Sequence, residues 1–89
     1  MTDTSLLITV DGCDCVVTAT HEGDVITVCD TEGTPIGEAE LDSAVKTVYG
    51  QYYDEVDGWF AEFTQSDLYE KPLEEIASWI ISTHPRNAL

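Results

Sequence analysis

Apolar and polar positions alternate through the first forty residues. Leu6, Ile8 and Val10 are followed, after a turn signal, by Cys13, Cys15, Val17 and Ala19, with Thr9, Asp14, Thr18 and Thr20 between them. A period of two predicts half-buried strands, here at roughly 5–10, 13–20, 24–30 and 35–41. Three turn signals separate them. Asp11-Gly12 is the Asp-Gly pair of a two-residue hairpin. His21-Glu22-Gly23 and Thr31-Glu32-Gly33 each put glycine third, the left-handed slot of a three-residue loop. These loops set a register in which Ile8 faces Cys15, Cys15 faces Cys29, Leu6 faces Val17 and Ala19 faces Val25. One face then carries Leu6, Ile8, Val10, Cys13, Cys15, Val17, Ala19, Val25, Cys29 and Ala39, and is the expected core face.

Beyond residue 41 the spacing changes. Val45, Val48, Tyr49, Tyr52 and Val56 recur at three and four residues behind Asp42-Ser43, which predicts a helix ending near Asp57-Gly58. Residues 59–63 read as an extended stretch after that helix, with a helical continuation as the alternative. Pro72, Glu74 and Glu75 open a last helix with the stripe Leu73, Ile76, Ala77 and Ile80, and His84-Pro85 ends it. All eight aromatics lie between Tyr49 and Trp79, so large side chains are expected opposite a sheet of small ones. The expected fold is α+β: a four-stranded antiparallel β-meander in order 1-2-3-4, packed on one face by two C-terminal helices. Residues 1–89 form a single domain.

Charge narrows the setting. Eighteen Asp and Glu against three Lys and Arg give a formal net charge of −15. In dilute buffer such a surface repels itself, whereas at molar salt the screening length falls to about 3 Å. The composition resembles that of cytoplasmic proteins from salt-accumulating halophiles, and habitat then accounts for the acidity. Lys46, Lys71 and Arg86 are too few for a phosphate-binding surface, so nucleic acid is disfavoured. No apolar run approaches the ~20 residues of a membrane span. The first residues lack a basic leader, and a cytoplasmic location is expected.

Candidate chemistry is sparse. Cys13, Cys15 and Cys29 would converge in the expected register, making a thiol or zinc site the alternative function. Cys-x-Cys on a strand is nevertheless tighter than the usual zinc spacing, and no fourth ligand is evident. Three small reduced side chains packed in the sheet are the simpler reading. Asp54-Glu55-Val56-Asp57-Gly58 fails as a calcium loop, because Tyr53 and Thr64 stand where carboxylates belong. His21 and His84 read as exposed imidazoles without a placed nucleophile, which leaves an enzyme the less favoured class, with no cofactor expected.

The remaining feature lies on the polar face. In the expected register Leu7, Val16, Val28 and Ile36 align across four strands with Ile26 diagonal to them, an aliphatic rib that either marks a contact surface or stabilises the sheet through its cross-strand β-branched pairs. Trp79 on the flank of the last helix is a second candidate anchor, with closure of a core edge as the more ordinary role for a Trp there. The expected function is a small non-enzymatic interaction or regulatory domain, with a protein partner or a homodimer and no membrane.

Overall fold

The computed structural model describes residues 2–10 and 12–85, without the side chains of Thr2, Val10 and Cys13. Six strands follow one another as an antiparallel meander in the order β1-β2-β3-β4-β5-β6. They are β1 (Thr2–Val10), β2 (Cys13–Glu22), β3 (Val25–Cys29), β4 (Pro35–Asp42), β5 (Thr47–Asp54) and β6 (Gly58–Gln65). A single 3-10 turn, Ser66–Leu68, leads to the helix α1 (Leu73–Thr83). The four-stranded sheet with two helices is thereby corrected to six strands and one helix among the described residues.

The segment 43–57 is the main correction. Ser43–Lys46 is a turn and Thr47–Asp54 is a strand. Val45 and Val56, which completed the helical spacing, sit in turns at 58% and 86% exposure. Thr47, Val48, Tyr49, Tyr52 and Tyr53 between them are β-branched or aromatic, the types that suit a pleated surface. Val48 and Tyr52 are buried, while Gly50 between them leaves room for a ring: a Cβ at Gly50 would collide with Phe63. The extended reading of 59–63 is borne out by β6. Six of the eight aromatics therefore belong to β5 and β6 rather than to an opposing helical layer.

The first hairpin forms as expected. Leu6 faces Val17, Leu7 faces Val16, and Ile8 faces Cys15, with Gly12 at φ 81°; Asp11 lies outside the described residues. The second turn differs. Glu22 pairs with Val25, so the connection is the two residues Gly23-Asp24, with the positive φ of 60° on Gly23. Glycine first in a two-residue connection is the type II′ pattern, whose twist matches the strands. Cys29 consequently faces Thr18 rather than Cys15, and Ala19 faces Val28 rather than Val25. An odd slip turns a strand over. Ile26 and Val28 enter the core at 1% and 0% exposure, and Cys29 moves to the outer face.

The third turn keeps its expected shape, with Gly33 at φ 89° and Asp30 N–H bonded to the Thr34 carbonyl at 2.9 Å. Asp30 Oδ1 also accepts from the Glu32 and Thr34 amides, each at 2.9 Å. A bulge follows: Cys29 pairs with Pro35, but Val28 pairs with Gly37, and the extra residue Ile36 joins the buried cluster.

The last helix matches its reading. Pro72 precedes it, and Ile76, Ala77, Ile80 and Ile81 are buried. Contacts run from α1 to β1, β3 and β4. Small residues allow that approach: Ala39 and Ala77 are fully buried, and a Cβ at Gly37 would come 2.5 Å from Ile80 Cγ2. Along the helix, Trp79 clusters with Tyr52 and Phe63, the Phe63 and Trp79 rings tilted with centroids 4.7 Å apart.

Candidate functional site

The two edges of the sheet are the places where backbone polar groups remain without a strand partner. β1 is a regular edge, paired with β2 at all nine of its residues without a bulge. Hydrogen-bonded and non-bonded pairs alternate along such a ladder. Val10 and Cys13 flank a two-residue connection and so exchange bonds, as do Ile8 with Cys15 and Leu6 with Val17. Asp3, Ser5, Leu7 and Thr9 then direct their N–H and C=O groups away from β2. Four residues with outward backbone groups along an unbroken nine-residue strand are a template for another strand unless something blunts them.

Little does. β1 holds no lysine, arginine or proline, and its one carboxylate is Asp3. Asp3 Oδ1 accepts from Thr20 Oγ1 on β2 at 3.0 Å, which draws the charge inward over the sheet. Thr9 Oγ1 likewise donates to Asp14 Oδ1 on β2 at 2.7 Å. Leu7 and Val16, opposite each other on the outer face, are 67% and 53% exposed. On the inner side a groove of about 470 Å³ runs beside the strand, lined by Leu6, Ile8, Glu74, Glu75 and Ser78. Glu75 is held loosely by Lys71, at 3.9 Å.

β6, at the other edge, is blunted. Gly50 faces Phe63 and Tyr52 faces Phe60, so Gln51 opposes both Ala61 and Glu62. Ala61 takes φ 50° at this bulge, a conformation that L-residues seldom adopt.

Of the expected contact residues, Leu7 and Val16 remain exposed. Ile26, Val28 and Ile36 are corrected to core positions, because the Gly23-Asp24 turn inverts β3 and the bulge redirects β4. Trp79 is partly buried between Tyr52 and Phe63 and closes the core edge. Ser5, Thr9, Glu74, Glu75 and Ser78 join Leu7 along the groove without any functional signal in the sequence pattern. The expected strand order did make the first strand an edge, and the near absence of charge there was visible.

The cysteines do not converge. Cys15 shares the inner face of β2 with Val17, whereas Cys29 lies on the outer face opposite Thr18; the Cys13 side chain falls outside the described residues. Burial, with Asp30 and Asp3 nearby, pushes the Cys29 thiol above its ordinary pKa, which favours the neutral thiol over the thiolate. Among the described residues no group of three or more His, Cys, Asp or Glu side chains is placed to hold a metal ion.

Further hollows occur, one of about 460 Å³ beside Thr20, Glu22, Val25, Thr27 and Glu38. Another, of about 360 Å³, lies over β4–β6 and is lined by Glu38, Glu40, Asp42, Tyr49 and Glu62. A third, of about 330 Å³, is lined by Asp30, Ile36, Tyr53, Asp54 and His84. His84 is buried rather than exposed, at 4%, because it caps the helix end beneath Phe60 and Tyr52 and donates from Nε2 to the Tyr53 carbonyl at 2.9 Å. That bond gives the imidazole a structural task. No described helix is long and apolar enough to cross a membrane. Compared with protein-family models, curated proteins and solved structures, the chain matches none.

Proposed function

We propose that the protein is a small non-enzymatic interaction domain of a salt-accumulating cytoplasm, and that it takes up a partner strand along the free side of β1. The observation that supports this reading most is the contrast between a regular, nearly uncharged β1 edge and a bulged β6 edge. Strand addition draws its affinity from main-chain hydrogen bonds and its selectivity from alternate side chains. Here the alternate positions are Leu7 on the outer side and the Leu6–Ile8 groove on the inner side. The acidity of the remaining surface, at a net charge of −15, suits molar salt, where it keeps the chain hydrated while close contacts still form.

Photo-crosslinking in a host that accumulates molar KCl tests this. A photoreactive phenylalanine analogue replaces Leu7 in one variant and the exposed Thr64 of β6 in another. The expected result is an adduct at position 7, with the same chain or another protein, that Ser5→Pro abolishes. Proline there removes an outward donor and leaves the bonds to β2 in place. Equal adducts at both positions, none at position 7, or adducts that survive Ser5→Pro would overturn the reading.

A further inference from the structure

We infer that the strand added to β1 is β1 of a second copy, in an antiparallel register centred on Leu7. This rests on strand addition at β1 and names its partner. Pairing around a two-fold axis requires the edge to complement itself. With Leu7 opposite the second copy's Leu7, Leu6 meets Ile8 and Ser5 meets Thr9, so over residues 5–9 aliphatic meets aliphatic and hydroxyl meets hydroxyl. No carboxylate faces another within residues 4–10, and the register sets Asp3 opposite the second copy's Asp11 only at the two ends of the paired stretch. The outward backbone groups at Ser5, Leu7 and Thr9 are also the ones this register uses.

Charge selects the same place. On a chain of net charge −15, a like-charged copy can approach only where carboxylates are few, and β1 holds a single one turned toward β2. Both helices end on one face of the joined sheet. Glu74 and Glu75 of each copy then flank the seam that the groove beside Ser5–Thr9 becomes. That arrangement gives the dimer a salt signature. Repulsion across the seam extends about 10 Å at 0.1 M salt and about 3 Å at 1 M, so salt should tighten association. A basic partner segment would be released by salt instead.

Sedimentation equilibrium of the full chain in 0.1 M and 2 M KCl is the test. The expected result is a dimer at 2 M KCl whose dissociation constant rises at least about tenfold at 0.1 M, and a monomer for Ser5→Pro at both. Oxidation tests the register. Leu7→Cys should give a disulfide-linked dimer, since a bonded antiparallel pair lies about 5.5 Å apart at Cα, within disulfide reach. The double variant Ser5→Cys, Thr9→Cys should link as well, while Thr9→Cys alone should behave as wild type. A monomer at both salts that still crosslinks to another protein through position 7 would overturn the second copy and leave strand addition standing. A monomer with no adduct would overturn both. A dimer that salt loosens, or one that Thr9→Cys alone locks, would overturn this register.

Discussion

The β1 and β6 edges solve the same physical problem in opposite ways. β6 interrupts its ladder where Ala61 and Glu62 oppose Gln51; its Phe63 packs inward against Tyr52 and Trp79, Phe60 lies against His84, and Trp59 stays 42% exposed beside Tyr53. Its backbone irregularity spoils the template that an incoming strand would need. β1 keeps an unbroken ladder, a leucine in solvent and a groove on its inner side. Nothing in the folding of the domain requires Leu7 to be exposed. A sheet that blunts one edge and leaves the other open is asymmetric, and the proposed capture of a strand would use that asymmetry.

Substitutions sharpen that contrast, the largest effect first. Val28 and Leu7 are aliphatic residues on neighbouring parts of one sheet, yet one is sealed in the core and the other faces water. Val28→Glu should cost on the order of 5 kcal/mol through a buried unpaired charge and leave the chain unfolded by circular dichroism even at 2 M KCl. Leu7→Glu should change unfolding free energy by no more than about 0.5 kcal/mol while abolishing association. Equal stability losses in the two would return β3 to the opposite face.

Gly50→Ala comes next. The added methyl collides with the Phe63 ring that lies across the β5–β6 hairpin, and overpacking of this kind costs about 1–3 kcal/mol. Denaturant midpoints should fall accordingly, with dimer formation at β1 retained in the folded fraction. Simultaneous loss of both would tie the two edges together.

Tyr52 gives a smaller, pH-dependent effect. Burial pushes its phenol above the ordinary value of 10.0, partly offset by the 2.7 Å hydrogen bond to Thr83 Oγ1. An acid whose folded pKa is raised contributes stability that is fully present below the unfolded value, here pH 10, and lost as pH climbs through it. Tyr52→Phe should therefore cost about 1 kcal/mol at pH 7 and flatten the alkaline loss of stability above pH 10. Ala61→Gly is the smallest. Relief of the positive φ should raise stability by about 0.5–1 kcal/mol, read as a modest gain in midpoint.

What could be read from the sequence followed local turn chemistry. The first hairpin, the Gly33 loop and the stripe of α1 were each set by residues adjacent in the chain. What could not be read depended on distant partners. Gly50 interrupts the alternation of Val48 and Tyr52, and only the Phe63 ring lying over it explains why a strand tolerates glycine there. Val45 and Val56 completed a helical spacing by coincidence, since both ended in exposed turns. At Glu22-Gly23-Asp24 the choice of which glycine flank enters the loop decided a register, and an odd slip inverted Ile26 and Val28. The open edge needed no distant information: the order of strands and the missing charges in Thr2–Val10 were both in view.

Amide hydrogen exchange at Ser5, Leu7 and Thr9 tests the central claim most directly, because those N–H groups have no partner within the domain. In 2 M KCl they should exchange slowly at high protein concentration, quicken on dilution, and exchange freely in Ser5→Pro at positions 7 and 9. Exchange as fast as the Thr31–Gly33 loop at every concentration would contradict a strand lying along β1.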